Sequence, residues 1–362
     1  MKRRIHILIG LVLSAVLVWL TFRHTDWGEV YASMRDAKLG WLLLSQVPLW
    51  ASFFARIQRW KYVVRAVEPG VSFRHMLSAT QIGLFGNIVL PARLGEVIRP
   101  FVLGRLAHIS FSKCFALNVL DRVADLIGLM AVMIVALVAF RPESAIVLPP
   151  SVWPKPIDAG IVRGGAASAS LFLLAVVVAL VLLYVKKDLI LKLSDGCVGL
   201  VSKGLAERAH HMLEQFAEGL HVFRSASDMG KCVFFSLVTW ACFLVSFGCV
   251  FNAFAIDWPW YAPFVAQALL AVLISVPGAP GFVGQFHLAI VAALVAVVPG
   301  IELARVQAVA IVSHLANAVV PVVMAGVFCL FWEKMSFLEL TRESTHVAEE
   351  VEADGEDALD AL

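Results

Sequence analysis

Arg93, Glu96 and Arg99 stand within seven residues of the stretch NIVLPARLGEVIRP (87–100), and Asp121, Arg122 and Asp125 follow in DRVAD (121–125). Apolar sequence flanks both groups. If ARLGEVIR is helical, Glu96 lies three residues from each arginine, so all three share a face and the carboxylate can bridge the two guanidiniums. Two arginines against one carboxylate leave a surplus positive charge. Guanidinium binds phosphate bidentately, so anion binding is the chemistry expected. Asp121 and Asp125, four residues apart on one helix face, are placed to salt-bridge back to Arg93 or Arg99. No nucleophile–base pair and no HxxE or HxxxH metal spacing accompanies these groups, and six cysteines without CxxC spacing read as small core residues.

The elements that hold these charges are apolar. Hydrophobic residues make up 60% of 362 positions and charged residues 15%, against roughly 45–50% and about 25% in soluble domains. Runs such as 6–22, 171–185, 232–251 and 306–331 approach the roughly 20 residues needed to span a bilayer as a helix. The fold expected is all-α: a polytopic integral membrane protein with about eight transmembrane helices plus re-entrant or broken helices. No outer-membrane barrel pattern of alternating ten-residue segments is visible. The first run follows MKRR but lacks a small-x-small cleavage site, and reads as an uncleaved first helix.

Charge orients the chain. Residues 341–362 hold eight of the 27 acids and one of the 29 bases, which leaves 28 bases and 19 acids, net +9, on residues 1–340. The acidic tail (336–362) is expected to be disordered, beyond a membrane domain at 1–335. Lys2, Arg3 and Arg4, then Arg56, Arg59, Lys61, Arg65 and Arg74, read as cytoplasmic flanking charges that snorkel to the interface. The Pro-rich stretch 141–160 fits the opposite side. Residues 186–230 form a cytoplasmic loop in which Met212, Leu213, Phe216, Leu220 and Phe223 suggest an amphipathic helix. Both termini are then cytoplasmic. The count closes only if 75–110, rich in Gly and Pro, enters and leaves on one side as a re-entrant element. A second broken element near 275–298 contains Pro277, Gly278, Pro280, Gly281 and Gly284. Two interrupted segments in the two halves of a chain are the pattern of transporter binding sites. His287 and His314 read as packing histidines, and Trp258 and Trp260 as an aromatic belt.

The combination of GNIVLPARLGEVIRPFVLGR, DRVADLIGL and PGAPGFVGQFHLA, over roughly 5–335, resembles the lysylphosphatidylglycerol synthase transmembrane-region family. This is the membrane module of bacterial multiple-peptide-resistance proteins, with stand-alone YbhN-like and hopanoid-cluster-associated relatives. The resemblance implies a flippase-like role in the bacterial cytoplasmic (inner) membrane, and motif roles for Asn87, Pro91, Arg93, Gly95, Glu96, Arg99, Asp121, Arg122, Pro280, Gly281 and Gly284. His287 stands where Glu or Gln is expected in many relatives.

About 30 residues follow the last span, too few for an aminoacyl-transfer domain, and no GxxxxGK[ST] is present. The expectation is therefore a non-enzymatic transporter of an anionic or modified phospholipid, with no cofactor, no metal and no nucleic-acid partner. Its lipid site would be formed by Asn87, Arg93, Glu96, Arg99, Asp121, Arg122, Asp125, Gly281, Gly284 and His287. Glu96, Asp121, Asp125 and His287 are candidates for ion or proton coupling. The alternatives are a headgroup-modifying enzyme and a non-catalytic scaffold for a lipid or glycan pathway enzyme. A homo-oligomer and a lipid-pathway enzyme are the candidate protein partners.

Overall fold

The computed structural model describes residues 2–141, 155–186, 192, 226–275 and 278–344. The expected amphipathic helix at 212–223, most of the Pro-rich loop, Pro277 and most of the acidic tail lie outside the described residues. Most of the described residues are helical, including 337–344 at the start of the tail that was expected to be disordered, where Leu340 is buried, and no strand occurs among the described residues. In chain order they are α1 (Lys2–Phe22), α2 (Trp27–Arg35), α3 (Leu39–Val67), α4 (Phe73–Val89), α5 (Gly95–Ala107), α6 (Phe111–Ala139), α7 (Ala159–Val185), α8 (Ala226–Ala253), α9 (Ala262–Ser275), α10 (Gln285–Val297), α11 (Leu303–Ser313) and α12 (Val320–Trp332). A π-helical turn, His314–Val319, joins α11 to α12 in one rod.

Among the described residues, five helical segments are long and apolar enough to cross a membrane: Phe111–Ala139, Ala159–Val176, Ser227–Ala253, Pro280–Val297 and Leu303–Trp332. This is a multi-pass α-helical membrane protein. The expected count of eight crossings is not confirmed: of the spans expected, the described apolar parts of α1 (Gly10–Phe22) and α9 (Ala262–Ser275) are shorter, and α3, which carries several arginines and lysines, is not among the five. α4 and α5 run antiparallel around the turn at Pro91–Arg93, with Gly83 against Arg99 and Gly86 against Gly95. α9 and α10 form a second pair, with the Gln285 amide donating to the Leu273 carbonyl at 2.8 Å.

Small residues permit the first hairpin. A methyl group on Gly95 would run into the Gly83 carbonyl oxygen and the Asn87 amide nitrogen, both backbone atoms that cannot swing away. Ser72 opens α4 by accepting from the His75 amide at 3.2 Å, leaving one fewer first-turn donor unpaired. His108, at φ 56°, closes α5 in the left-handed conformation.

The bases of the two hairpins lie at opposite ends of the α11–α12 rod. Its 30 residues extend about 45 Å at 1.5 Å each. Glu333, just past the end of the rod, pairs with Arg74 at the start of α4 at 3.0 Å. Glu302, before its start, follows closely on α10, whose Val298 cap leads into the turn at Ile301. Two separate cores reflect this division. One packs Leu49, Trp60, Met76, Ile82, Leu103 and Leu330 around the first hairpin. The other packs Phe251, Leu270, Ile290, Leu294, Val306 and Val309 around the second.

Both tips sit between these cores and touch. Arg93 donates to the Ile274 carbonyl, and its guanidinium lies 5.5 Å from the Phe282 ring centroid. Arg93 (φ 55°) and Phe282 (φ 58°) are both left-handed, a backbone state costing non-glycine residues roughly 1–3 kcal/mol and concentrated at functional sites. Gly281 (φ 68°) and Gly284 (φ 86°) adopt such angles without a Cβ penalty.

Candidate functional site

Beside the first hairpin, charged residues from α3, α5 and α6 form one buried network. Asp121 on α6 holds two guanidiniums: Arg59 Nε at 2.8 Å and Arg99 Nη1 at 2.8 Å, with Arg59 and Asp121 both fully buried. Arg59 reaches Asp125 Oδ1 at 2.5 Å and Ser236 Oγ on α8 at 3.2 Å. The Trp240 indole also donates to Asp125 Oδ1, at 3.1 Å, in space that exists because residue 128 is glycine. Arg99 lies over Trp60, its guanidinium carbon 3.7 Å from the ring centroid. Stacking of this kind offsets part of the cost of burying a cation.

A more open half adjoins this closed one. Glu96 Oε2 pairs with Arg122 Nε at 3.0 Å, both side chains about one-third exposed, and Glu96 Oε1 accepts from the Asn87 amide at 3.1 Å. Pro100 contributes through what it lacks. Without an N–H it cannot bond the carbonyl of residue 96, and the Asn118 amide donates to that Glu96 carbonyl instead, at 3.3 Å. Asn118 Oδ1 in turn accepts from Arg99 at 3.0 Å. A helix-breaking residue in the sequence thus becomes a tie between α5 and α6.

Arg56, Thr80, Gly83, Leu84, Asn87, Gly95, Glu96, Arg99 and Arg122 line a cleft too narrow to admit a water molecule. Polar atoms on its walls lack hydrogen-bond partners among the described residues: Arg56 Nε, Thr80 Oγ1, Asn87 Oδ1, and Arg99 Nε and Nη2. Across the cleft and the network, four guanidiniums (Arg56, Arg59, Arg99, Arg122) face three carboxylates (Glu96, Asp121, Asp125).

The structure therefore brings six of the ten expected site residues together: Asn87, Glu96, Arg99, Asp121, Arg122 and Asp125. It does not place Arg93 with them. Arg93 belongs to the 3₁₀ turn before α5 and is exposed, so the expected single face of Arg93, Glu96 and Arg99 does not form. Glu96 bridges to Arg122, and the aspartates take Arg59 and Arg99. Gly281, Gly284 and His287 form a separate group at the second tip. There the Gly281 carbonyl accepts from His314 Nε2 at 2.7 Å, and the Gly284 amide donates to His287 Nδ1 at 3.3 Å. The two imidazole rings meet edge to face at 4.8 Å.

Arg56 and Arg59 were misjudged from sequence as interfacial. Arg59 is completely buried. Its signal is phase: position 59 continues the buried stripe of Leu49, Ser52, Phe53, Trp60 and Val63 on α3. Thr80, Asn118, Ser236 and Trp240 were missed because single polar residues in apolar helices carry no pattern of their own.

The chain matches the family described as "Lysylphosphatidylglycerol synthase TM region" over residues 7–325. It is 26% identical over 361 residues to a Haloferax volcanii protein named "Glycosyltransferase AglD", a match covering 95% of this chain and 57% of that relative. Two "UPF0104 membrane proteins" of Methanothermobacter thermautotrophicus are each 23% identical, one over 92% of this chain and 95% of its own length, the other over 78% and 82%. This chain spans little more than half the length of the Haloferax relative. That relative's name overturns the expectation from sequence that the protein is not an enzyme. Nucleophile–base pairs, metal-ligand spacings and an aminoacyl-transfer domain do not exhaust the ways a membrane chain can take part in catalysis.

Proposed function

The chain belongs to the lysylphosphatidylglycerol synthase transmembrane-region family, and from that premise we propose that it binds a phosphate-bearing lipid headgroup and moves it between leaflets. The observation that carries this reading is the pair of hairpins whose bases lie at opposite ends of the molecule and whose tips touch beside a buried cationic cleft. In this reading the two hairpins are re-entrant and act as gates. Parting α4–α5 from α3 and α6 opens the cleft toward one leaflet, and parting α9–α10 at its tip opens it toward the other. The Arg93–Ile274 and Arg93–Phe282 contacts hold the tips together when neither is open.

Lys61, Arg65, Arg74, Arg105, Lys113 and Lys334 cluster toward the base of the first hairpin. By the positive-inside rule that end is cytoplasmic, which puts both termini inside. Reconstituted into liposomes, wild-type protein is expected to move fluorescent anionic phospholipids at a headgroup-dependent rate, and Arg99→Gln to slow it to background. Equal rates for wild type and variant across all lipids would remove the support for transport.

The relationship to the Haloferax protein favours a second reading, in which the chain serves glycosyl transfer on a lipid. Mass spectrometry of lipids from deletion and overexpressing cells separates the two. A glycosylated lipid that appears and vanishes with the gene supports the second reading, whereas a changed leaflet distribution without a new headgroup supports the first.

A further inference from the structure

Beyond the α11–α12 rod the chain turns a corner. Lys334 is left-handed at φ 54°, and the Met335 amide donates back to the Leu330 carbonyl at 2.9 Å. Residues 337–344, FLELTRES, then form a helix. Its burial keeps a helical period: Leu340 and Ser344 are buried, Phe337 and Thr341 are half-buried, and Leu338, Glu339, Arg342 and Glu343 are exposed. Shielded positions at i, i+3, i+4 and i+7 mark a single docked face. That face meets both limbs of the first hairpin. Leu340 joins the core built by Met76 and Ile82 of α4, Leu103 of α5 and Leu330 of α12. The Phe337 ring meets Phe85 of α4 edge to face, with centroids 4.7 Å apart. Glu343 pairs with Arg105 of α5 at 2.8 Å, and at the corner Glu333 holds Arg74 and Ser78 of α4. The Arg105–Glu343 pair is exposed and contributes little, so the apolar anchors Phe337 and Leu340 carry the contact.

We infer that residues 337–344 are a strap across the base of the first hairpin, which holds α4–α5 closed against α6 until the strap undocks. This rests on the gating reading above and deepens it by naming what keeps the first gate shut. The geometry gives the reason. α4 packs on the rod, with Gly326 of α12 against Phe85, and α5 packs on α6, with the Cys114 sulfur 3.7 Å from the Cβ position of Gly104. The hairpin thus lies between the rod and α6. The strap is joined to the rod through the chain and to both limbs through side chains, so it fixes the hairpin where it stands. Leaving α6 requires the Phe337 and Leu340 contacts to break. Local opening of this kind draws on elements with few anchors, and two apolar side chains make a contact that holds at rest and can be released.

Maleimide labelling of the full chain in detergent tests this, with Cys114 as the only cysteine and the other five replaced by serine. The Cys114 thiol is buried between α6 and α5, so its labelling rate reports how often α5 leaves α6. Leu340→Glu puts a charge into an anchor that is 0% exposed and should raise that rate about tenfold or more. Leu338→Glu, the same change at a position 72% exposed on the same helix, should leave it unchanged. Should Leu340→Glu fail to fold, Phe337→Ala removes the ring against Phe85 and must raise the rate as well. A second protein keeps only Cys249, buried on α8 next to Val250 of the second core, and must label at one rate with and without Leu340→Glu. Cys114 labelling that is indifferent to both anchor variants, or equally accelerated by Leu338→Glu, overturns the strap. So does equal acceleration at Cys249, which would mean general loosening. In liposomes, Leu340→Glu should speed the movement of anionic phospholipid. Cys114 exposure without any lipid movement defeats only the transport reading, and lipid movement with Cys114 indifferent to Leu340→Glu defeats only the strap.

Discussion

Asp121→Asn is the sharpest perturbation of the network. The carboxylate is fully buried and is held by Arg59 and Arg99 at 2.8 Å each. Asparagine keeps the shape and one acceptor oxygen but removes the charge, so two buried guanidiniums share a neutral partner. Breaking a buried ion pair from one side costs about 3–5 kcal/mol, because the desolvated partner is left uncompensated. At roughly 2 °C per kcal/mol for a chain of this size, the melting temperature should fall by about 6–10 °C. Thermal unfolding in detergent at a fixed scan rate, followed by tryptophan fluorescence, measures it. The companion is the pair Asp121→Leu and Arg99→Met, which exchanges an ion pair for apolar contacts. If the pair is coupled as the distances require, the double variant should lose at least about 1 kcal/mol less than the two single variants together. Arg105→Gln, at an exposed pair, should cost no more than about 1 kcal/mol. A melting temperature for Asp121→Asn within about 1 °C of wild type, or strict additivity in the cycle, would refute the buried network.

Gly95→Ala should destabilise by about 1–3 kcal/mol, because the added methyl meets the Gly83 carbonyl and Asn87 amide. Gly40→Ala, with nothing within 4 Å of its Cβ position, should be neutral or slightly stabilising in the same melts. Glu333, past the end of the last span, is opposed by burial but held below the ordinary 4.5 by hydrogen bonds from Arg74 and Ser78. Its contribution is therefore complete above pH 4.5 and is lost as the pH falls through the depressed value. The melting-temperature difference between wild type and Glu333→Gln should be present at neutral pH and shrink steadily in acid; a difference that grows in acid would contradict the pairing. Single cysteines at His108 and Trp260 in a cysteine-free background should react with an impermeant maleimide from opposite faces of sealed vesicles. Labelling from the same face would end the opposed-hairpin reading.

Much of this protein is written in composition and local pattern. Apolar runs of bilayer length, Gly and Pro at 83–104 and 277–284, and three charges within seven residues identify a polytopic helical chain with two interrupted segments. These are properties of a residue and its near neighbours, so they need no folded structure to be read. Which charges meet is different. Arg59 and Asp121 are 62 residues apart, and Arg59 and Ser236 are 177 apart; only helix packing selects them over Arg93, which lies closer along the chain to every acid in the motifs. Periodicity could show that Arg56 and Arg59 share a face, but not whether that face meets lipid, water or α6. Arg93 has the right chemistry and the wrong backbone: the turn after Pro91 sends it to the second hairpin's tip. The sequence alone established the solvent, the breaks and the kinds of groups. Tertiary structure decided the partners, because ion pairing falls off over a few ångströms and only the packed helices set those distances.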